Sequence, residues 1–268
     1  MILAVRSVRQ YNNGHRSYHR IRDPLLDAQT IQRLNQINHD FYATVADEFD
    51  QTRGTAWPGW ERLRHYLHAP LRVLDVGCGN GRFALFVHEQ LEQLHPDEGQ
   101  HKALLEYHGI DSNADLLQHA RHALNLKTRL SFRLEQRDIV QNPPDEGYYD
   151  LVVLLGVLHH IPGYAARQQF VRTLADRITA GGMLVIAAWR FYEYERFRQR
   201  IVPWPEDIQV EAHDYLLDWR RGAFSLRYCH YTDDDEFDRL IHVTGLSEIE
   251  HYRADGQSGD ANLYSILK

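Results

Sequence analysis

Sulfur is scarce in this chain: 268 residues hold two cysteines and two methionines. That scarcity excludes a disulfide scaffold and makes a thiolate zinc centre a poor reading, so no metal site is expected. Lysine is also nearly missing. Of 30 basic residues only Lys102, Lys127 and Lys268 are lysine; the other 27 are arginine. No apolar run approaches the roughly 20 residues that span a bilayer, so no membrane partner is expected. Residues 1–5 are apolar but give way to Arg6, without the apolar core or cleavage site of a secretory signal. A cytoplasmic location is therefore expected. No repeat or low-complexity tract interrupts the chain.

The rest is ordinary for a globular protein: 43% apolar, 25% charged, net charge -7. Disorder, collagen and coiled coil are excluded as whole-chain readings. The length suits one large domain, or one domain with an appended segment. The acidic balance is not that of a simple nucleic-acid binder, yet it is unevenly spread. Residues 1–33 carry six arginines against Asp23 and Asp27. Genome composition is the plainer source of the arginine bias, but each arginine offers a planar fork that grips carboxylate or phosphate with two hydrogen bonds.

Hydrophobic spacing divides the chain. Residues 1–29 have weak periodicity and read as an extended arm. Over 30–51 the apolar residues recur every three or four positions, predicting an amphipathic helix with a break near Asn38. A loop follows, and Pro58 opens a helix to about residue 68. From there strands are predicted at 71–76, 106–110, 130–135, 149–155 and 183–189. Helices are predicted between them at 80–94, 113–124 and 165–178, the last stopped by Gly181 and Gly182. Strands apolar on both faces, alternating with helices, mean a parallel sheet covered on both sides. Residues 190–227, rich in aromatics and charge, read as an insertion over one sheet edge. A helix at 233–243 with Thr232 as its N-cap precedes two closing strands, 246–252 and 262–267, which supply an antiparallel edge.

The chemistry concentrates in 73–83, Val-Leu-Asp-Val-Gly-Cys-Gly-Asn-Gly-Arg-Phe. A strand runs into Gly77, Gly79 and Gly81, and a helix begins at once. Such a turn lets a ligand approach the backbone at a helix N-terminus. It is not the G-x-G-x-x-G of dinucleotide sites. Asp75 beside it suits a positively charged amino or sulfonium group better than a pyrophosphate.

This segment resembles motif I of the class I S-adenosylmethionine-dependent methyltransferases, and its companions follow in order. Gly109-Ile-Asp111 ends the second strand with an acid, Arg137-Asp138-Ile139 follows the third, and Tyr149 to Gly156 forms the fourth. The 36 residues between Asp75 and Asp111 exceed the usual spacing, consistent with an added loop over 92–104. A narrower resemblance is to the tRNA wobble (carboxymethyl)uridine methyltransferases. Phe41-Tyr42, Phe49-Asp-Gln-Thr-Arg53 and Trp57-Pro58 are similar to that family's segment before motif I. Val157-Leu-His159-His160 and Arg227-Tyr-Cys-His230-Tyr resemble later segments.

The resemblance implies an α/β fold: a Rossmann-like, seven-stranded class I methyltransferase sheet with helices on both faces and an antiparallel last strand. The methyltransferase domain would cover 69–268, with 1–68 as arm and helical cap. It implies S-adenosylmethionine as cofactor and S-adenosylhomocysteine as product. Asp75, Gly77, Gly79, Gly81, Asp111, Ser112, Asp138, Ile139, Leu155 and Tyr42 would bind it. His159, His160 and Arg53 would act at the acceptor, and Trp57, Arg167, Arg227 and His230 would bind substrate. A carboxylate acceptor is already ionised at neutral pH; it needs a cation to place it, not a base. The expected function is methylation of a carboxylate on a modified tRNA uridine. A small-molecule O- or N-methyltransferase and a non-catalytic cofactor-binding regulator are the alternatives. No Asn-Pro-Pro-Tyr follows the fourth strand, which argues against exocyclic-amine methylation. Whether an activator protein is needed, as in the eukaryotic relatives, is left open by the sequence.

Overall fold

The computed structural model describes residues 25–51, 54–96, 103–220 and 222–268. Most of the arm expected over 1–29 lies outside them, as does Arg53.

Helix α1 (Ala28–Gln51) starts where the Asp27 carboxylate accepts the Thr30 N–H at 2.7 Å, a side-chain cap for an otherwise orphan donor. The expected break near Asn38 is absent. The helix instead departs from helical geometry at Val45, a fully buried β-branched residue. Polar residues near Asn38 compete for the helix in isolation, but here cross-chain hydrogen bonds hold them. Pro58–Tyr66 forms a 3-10 turn rather than a full helix.

The sheet follows the predicted alternation. β1 (Leu71–Val76) pairs in parallel with β2 (Leu105–Asp111) and β4 (Tyr149–Leu155); β3 (Leu130–Gln136) lies outside β2, and β5 (Ile178–Trp189) beside β4. β10 (Asn262–Leu267) runs antiparallel between β5 and β9 (Glu248–Ala254), giving the order β3-β2-β1-β4-β5-β10-β9. Strand residues alternate between two cores. Val73, Leu151 and Val185 face α2 (Arg82–Leu94), α3 (Ala114–Asn125) and the Pro58–Tyr66 turn. Leu74, Val152 and Leu184 face α4 (Tyr164–Ala175) and α6 (Asp234–His242). Period-2 patterning with both faces buried thus produces the layered architecture.

Three local expectations change. α4 ends at Ala175, and Gly181 and Gly182 lie inside β5 instead of stopping the helix. A Cβ on Gly182 would stand 3.0 Å from the Tyr149 carbonyl oxygen, so glycine serves close strand approach. The cap of α6 is Asp233, whose carboxylate accepts the Glu236 N–H at 2.8 Å, not Thr232. The insertion is itself ordered. After α5 (Glu195–Arg198), β6 (Ile201–Val202), β7 (Asp214–Trp219) and β8 (Ser225–His230) form a separate antiparallel sheet. Its β8 packs on α1, so the insertion does not merely cover one sheet edge. No helix among the described residues is long and apolar enough to cross a membrane.

Candidate active site

The carboxyl ends of β1, β2 and β4 open into a cavity of about 570 Å³, covered by α1 and walled by the insertion. Open α/β sheets bind ligands at this edge because the strand-to-helix turns leave backbone groups free there. Gly77 and Gly79 line the cavity at the end of β1. Gly79 has φ +53°, and a Cβ built on it meets nothing within 4 Å; its backbone borders open space.

Asp111 closes β2. Its carboxylate accepts the Gly79 N–H at 2.8 Å and the Asn113 N–H at 2.9 Å, and burial raises its pKa. Ser112, Leu155, Asp138 and Ile139 also line the space. Asp138 accepts from Asn35 Nδ2 at 2.7 Å and lies 3.1 Å from His39 Nε2, both on α1. Burial opposes ionisation of Asp138, but the hydrogen bonds from His39 and Asn35 prevail and hold its pKa down. The same bond from Asp138 raises His39. The S-adenosylmethionine implied by the class I resemblance fits this half. The glycine turn leaves room for its chain, and two carboxylates with spare lone pairs face the space where hydroxyls and a purine would lie.

The opposite half is cationic and aromatic. His160 Nδ1 is 3.1 Å from the Tyr228 carbonyl oxygen, which can only accept, so Nδ1 carries the proton. Nε2 then accepts from the Tyr42 hydroxyl at 3.0 Å. Burial and the neighbouring Arg227 charge push the His160 pKa down to about 3. His159 lies beside it, the rings tilted with centroids 4.0 Å apart, and meets Trp189 edge-on. The Arg227 guanidinium lies 5.1 Å from the Phe41 ring and 4.9 Å from that of Trp189. Arg227 is 8% exposed, and its Nε has no hydrogen-bond partner. Trp57 lines the wall near the glycine turn, with the Arg82 guanidinium 4.6 Å from its ring. Arg196, Arg200, Trp219 and Arg220 stand around the insertion side.

Not every expected residue arrives here. Asp75 is buried beneath the turn, accepts the Tyr107 hydroxyl at 2.6 Å, and is pushed up to about 7 by burial. It supports the turn from below and does not line the cavity. Gly81 starts α2 in a left-handed conformation and faces Ala120. Arg167 is 1% exposed and saturated: Nε donates to Glu236 at 2.7 Å, Nη2 to Glu211 at 3.0 Å and Nη1 to the Ile161 carbonyl at 3.1 Å. His230 sits between Asp214 (2.7 Å) and Glu236 (2.8 Å) in the same buried network. Arg167 and His230 therefore join α4, α6 and the insertion together, and neither lines the cavity.

Two groups of potential metal donors occur among the described residues, His159–His160–Cys229 and Glu211–Asp214–His230. Both ring nitrogens of His160 and of His230 already face protein partners. Sequence reading missed Asn35, Asn38 and His39. Together with Tyr42 they share one face of α1 at three- and four-residue spacing, a polar stripe within an amphipathic helix that ordinarily reads as solvated.

Comparison with known proteins bears on the fold and the type of domain. A family profile described as "Methyltransferase domain" matches residues 74–184. The crystal structure of a SAM-dependent methyltransferase from Methanosarcina mazei superposes with a TM-score of 0.58 at 16% identity, covering 79% of this chain and 97% of that one. The chain shares the fold of the class I methyltransferases. It is similar to "Probable tRNA methyltransferase 9B" of Bos taurus, 25% identical over 205 residues, covering 75% of this chain and 37% of that protein. It is also similar to the tRNA (carboxymethyluridine(34)-5-O)-methyltransferase of Schizosaccharomyces pombe, 23% identical over 236 residues, covering 82% of this chain and 93% of that protein. The chain spans well under half of the first relative's length.

Proposed function

We propose that this chain is an S-adenosylmethionine-dependent methyltransferase whose acceptor is a carboxylate, carried by a modified wobble uridine of tRNA. When bound, the cofactor supplies a sulfonium methyl group. Gly77, Gly79, Asp111, Asp138 and Ile139 would hold it, Asp111 serving the ribose and Asp138 and Ile139 the adenine.

The observation that carries the acceptor class is Arg227, a residue of the cavity wall more than nine-tenths buried, its guanidinium beside two rings and its Nε without a hydrogen-bond partner. A buried cation with an unpartnered donor calls for an anion, and a carboxylate matches its planar fork. His160, held neutral with Nε2 engaged by Tyr42, is a poor base for a hydroxyl or ammonium acceptor. A carboxylate requires no base, because no proton leaves when its oxygen is methylated. The tRNA assignment is supported by the similarity to tRNA methyltransferases and by Arg196, Arg200 and Arg220 beside Trp219, which suit phosphate and a stacked base. A cytoplasmic location accompanies this reading.

Transfer of labelled methyl from S-adenosylmethionine into the RNA and small-molecule fractions of one extract tests the proposal. Label should enter RNA and be released by mild alkali, as an ester is. Alkali-stable label in RNA overturns the carboxylate. Label confined to small molecules overturns tRNA, and cofactor binding without transfer to either fraction leaves a regulator.

A further inference from the structure

We infer that Asn38 of α1 is a ligand for the adenosine half of the bound cofactor. This rests on the cofactor reading above and assigns a contact lying outside the strand-end motifs.

The Asn38 side chain is 6% exposed and lines the cavity, and neither Nδ2 nor Oδ1 has a hydrogen-bond partner. A buried carboxamide with donor and acceptor both unmade bears the full desolvation cost of each, so such groups are rare in folded chains unless something completes them. Asn38 stays in regular helix, one turn after Asn35 and one before Tyr42. Asn35 and His39, on either side of it, both reach the Asp138 carboxylate, and Tyr42 reaches His160. Asn38 is thereby placed between the adenine end of the cleft and the point of transfer.

The ligand must offer an acceptor and a donor to one planar amide. Adenosine does so twice, through the N6 amino group beside a ring nitrogen and through each ribose hydroxyl. A carboxylate or sulfonium cannot, since the first only accepts and the second does neither. A uracil edge has the same pairing, but the cations suited to a nucleotide acceptor stand on the insertion, whereas the α1 face around Asn38 is clasped to Asp138.

The test is calorimetry of S-adenosylhomocysteine binding to the full chain, with Asn38→Ala and Asn38→Leu, and melting temperatures with and without that ligand. Both variants should bind at least tenfold more weakly. The ligand-free Asn38→Leu protein should melt no lower than the parent, because two unpaired polar groups leave the interior; a merely structural asparagine would lower it. Unchanged affinity overturns the inference, and so does a raised acceptor KM at unchanged affinity, which moves Asn38 to the acceptor. A ligand-free melting temperature that drops in both variants also overturns it. Failure of the parent chain itself to bind S-adenosylhomocysteine would instead remove the cofactor reading.

Discussion

Arg227 keeps its charge largely out of water, between Phe41 and Trp189. Arg227→Met preserves most of the packing and removes the fork. A charge-assisted hydrogen bond is worth about 1.5–3 kcal/mol, so kcat/KM for a carboxylate acceptor should fall about 10- to 100-fold. Affinity for S-adenosylhomocysteine should stay within about twofold, and parallel loss of both would refute the assignment to the acceptor. Asp111→Ala should do the reverse, weakening the cofactor sharply. His39 adds a pH dependence. Its folded pKa is raised by Asp138 above the ordinary value of about 6.5. The clasp is therefore fully present below that ordinary value and is lost as pH rises through the folded one. Cofactor affinity should decline on the alkaline side in the parent and stay flatter there in His39→Gln, as titrations at pH 6 and pH 9 would show. Of these three residues sequence reading found Arg227 and Asp111, which stand in recognisable segments. It missed His39, whose partner lies 99 positions away.

At the scale of elements, α1 and the insertion enclose the cavity, and a buried polar network fixes the insertion. Arg167 on α4 joins Glu236 on α6 to Glu211 of the insertion, while His230 and Tyr228 on β8 meet Asp214 on β7. Arg167→Met leaves two buried carboxylates short of a cation. It should destabilise the fold by about 3–5 kcal/mol, read as a lowered denaturation midpoint. Two titrations bound the network. Burial opposes the charged form of Glu236, but His230 and Arg167 prevail and bring it to about 2. Its contribution is present above the ordinary carboxylate value and lost as pH falls toward 2. Burial likewise opposes the His230 imidazolium, but its bonds to Asp214 and Glu236 raise the pKa. That contribution is present below the ordinary histidine value and lost as pH rises through the folded one. Stability should thus fall on both sides of a plateau, and His230→Gln should remove the alkaline limb. Nothing local marks Arg167 as structural, because its two acidic partners are 44 and 69 residues distant.

For the molecule as a whole, the net charge of -7 conceals a segregated cavity. Asp111 and Asp138 lie on the cofactor side; Arg196, Arg200, Arg220 and Arg227 lie on the insertion side, where Asp218 pairs with Arg200 and Arg220. Replacing Arg196 and Arg220 with glutamine leaves Arg200 to pair with buried Asp218. If the rim meets phosphates, this double variant should weaken RNA binding and reduce the slope of log affinity against log salt by about one to two, with cofactor affinity unchanged. An unaltered slope would remove the rim from the RNA contact. By itself the sequence determined the parallel sheet, the limits of β1, β4 and β10, the glycine turn, and the two acids after β2 and β3. These follow from period-2 burial and from backbone demands within a few residues, which local spacing records. Only the tertiary structure decided that Asp75 works from beneath the turn, that Arg167 and His230 are internal ties, and that one face of α1 closes over the cleft. A side chain's partner is set by packing between segments up to about a hundred residues apart, and no periodicity in the chain encodes that distance.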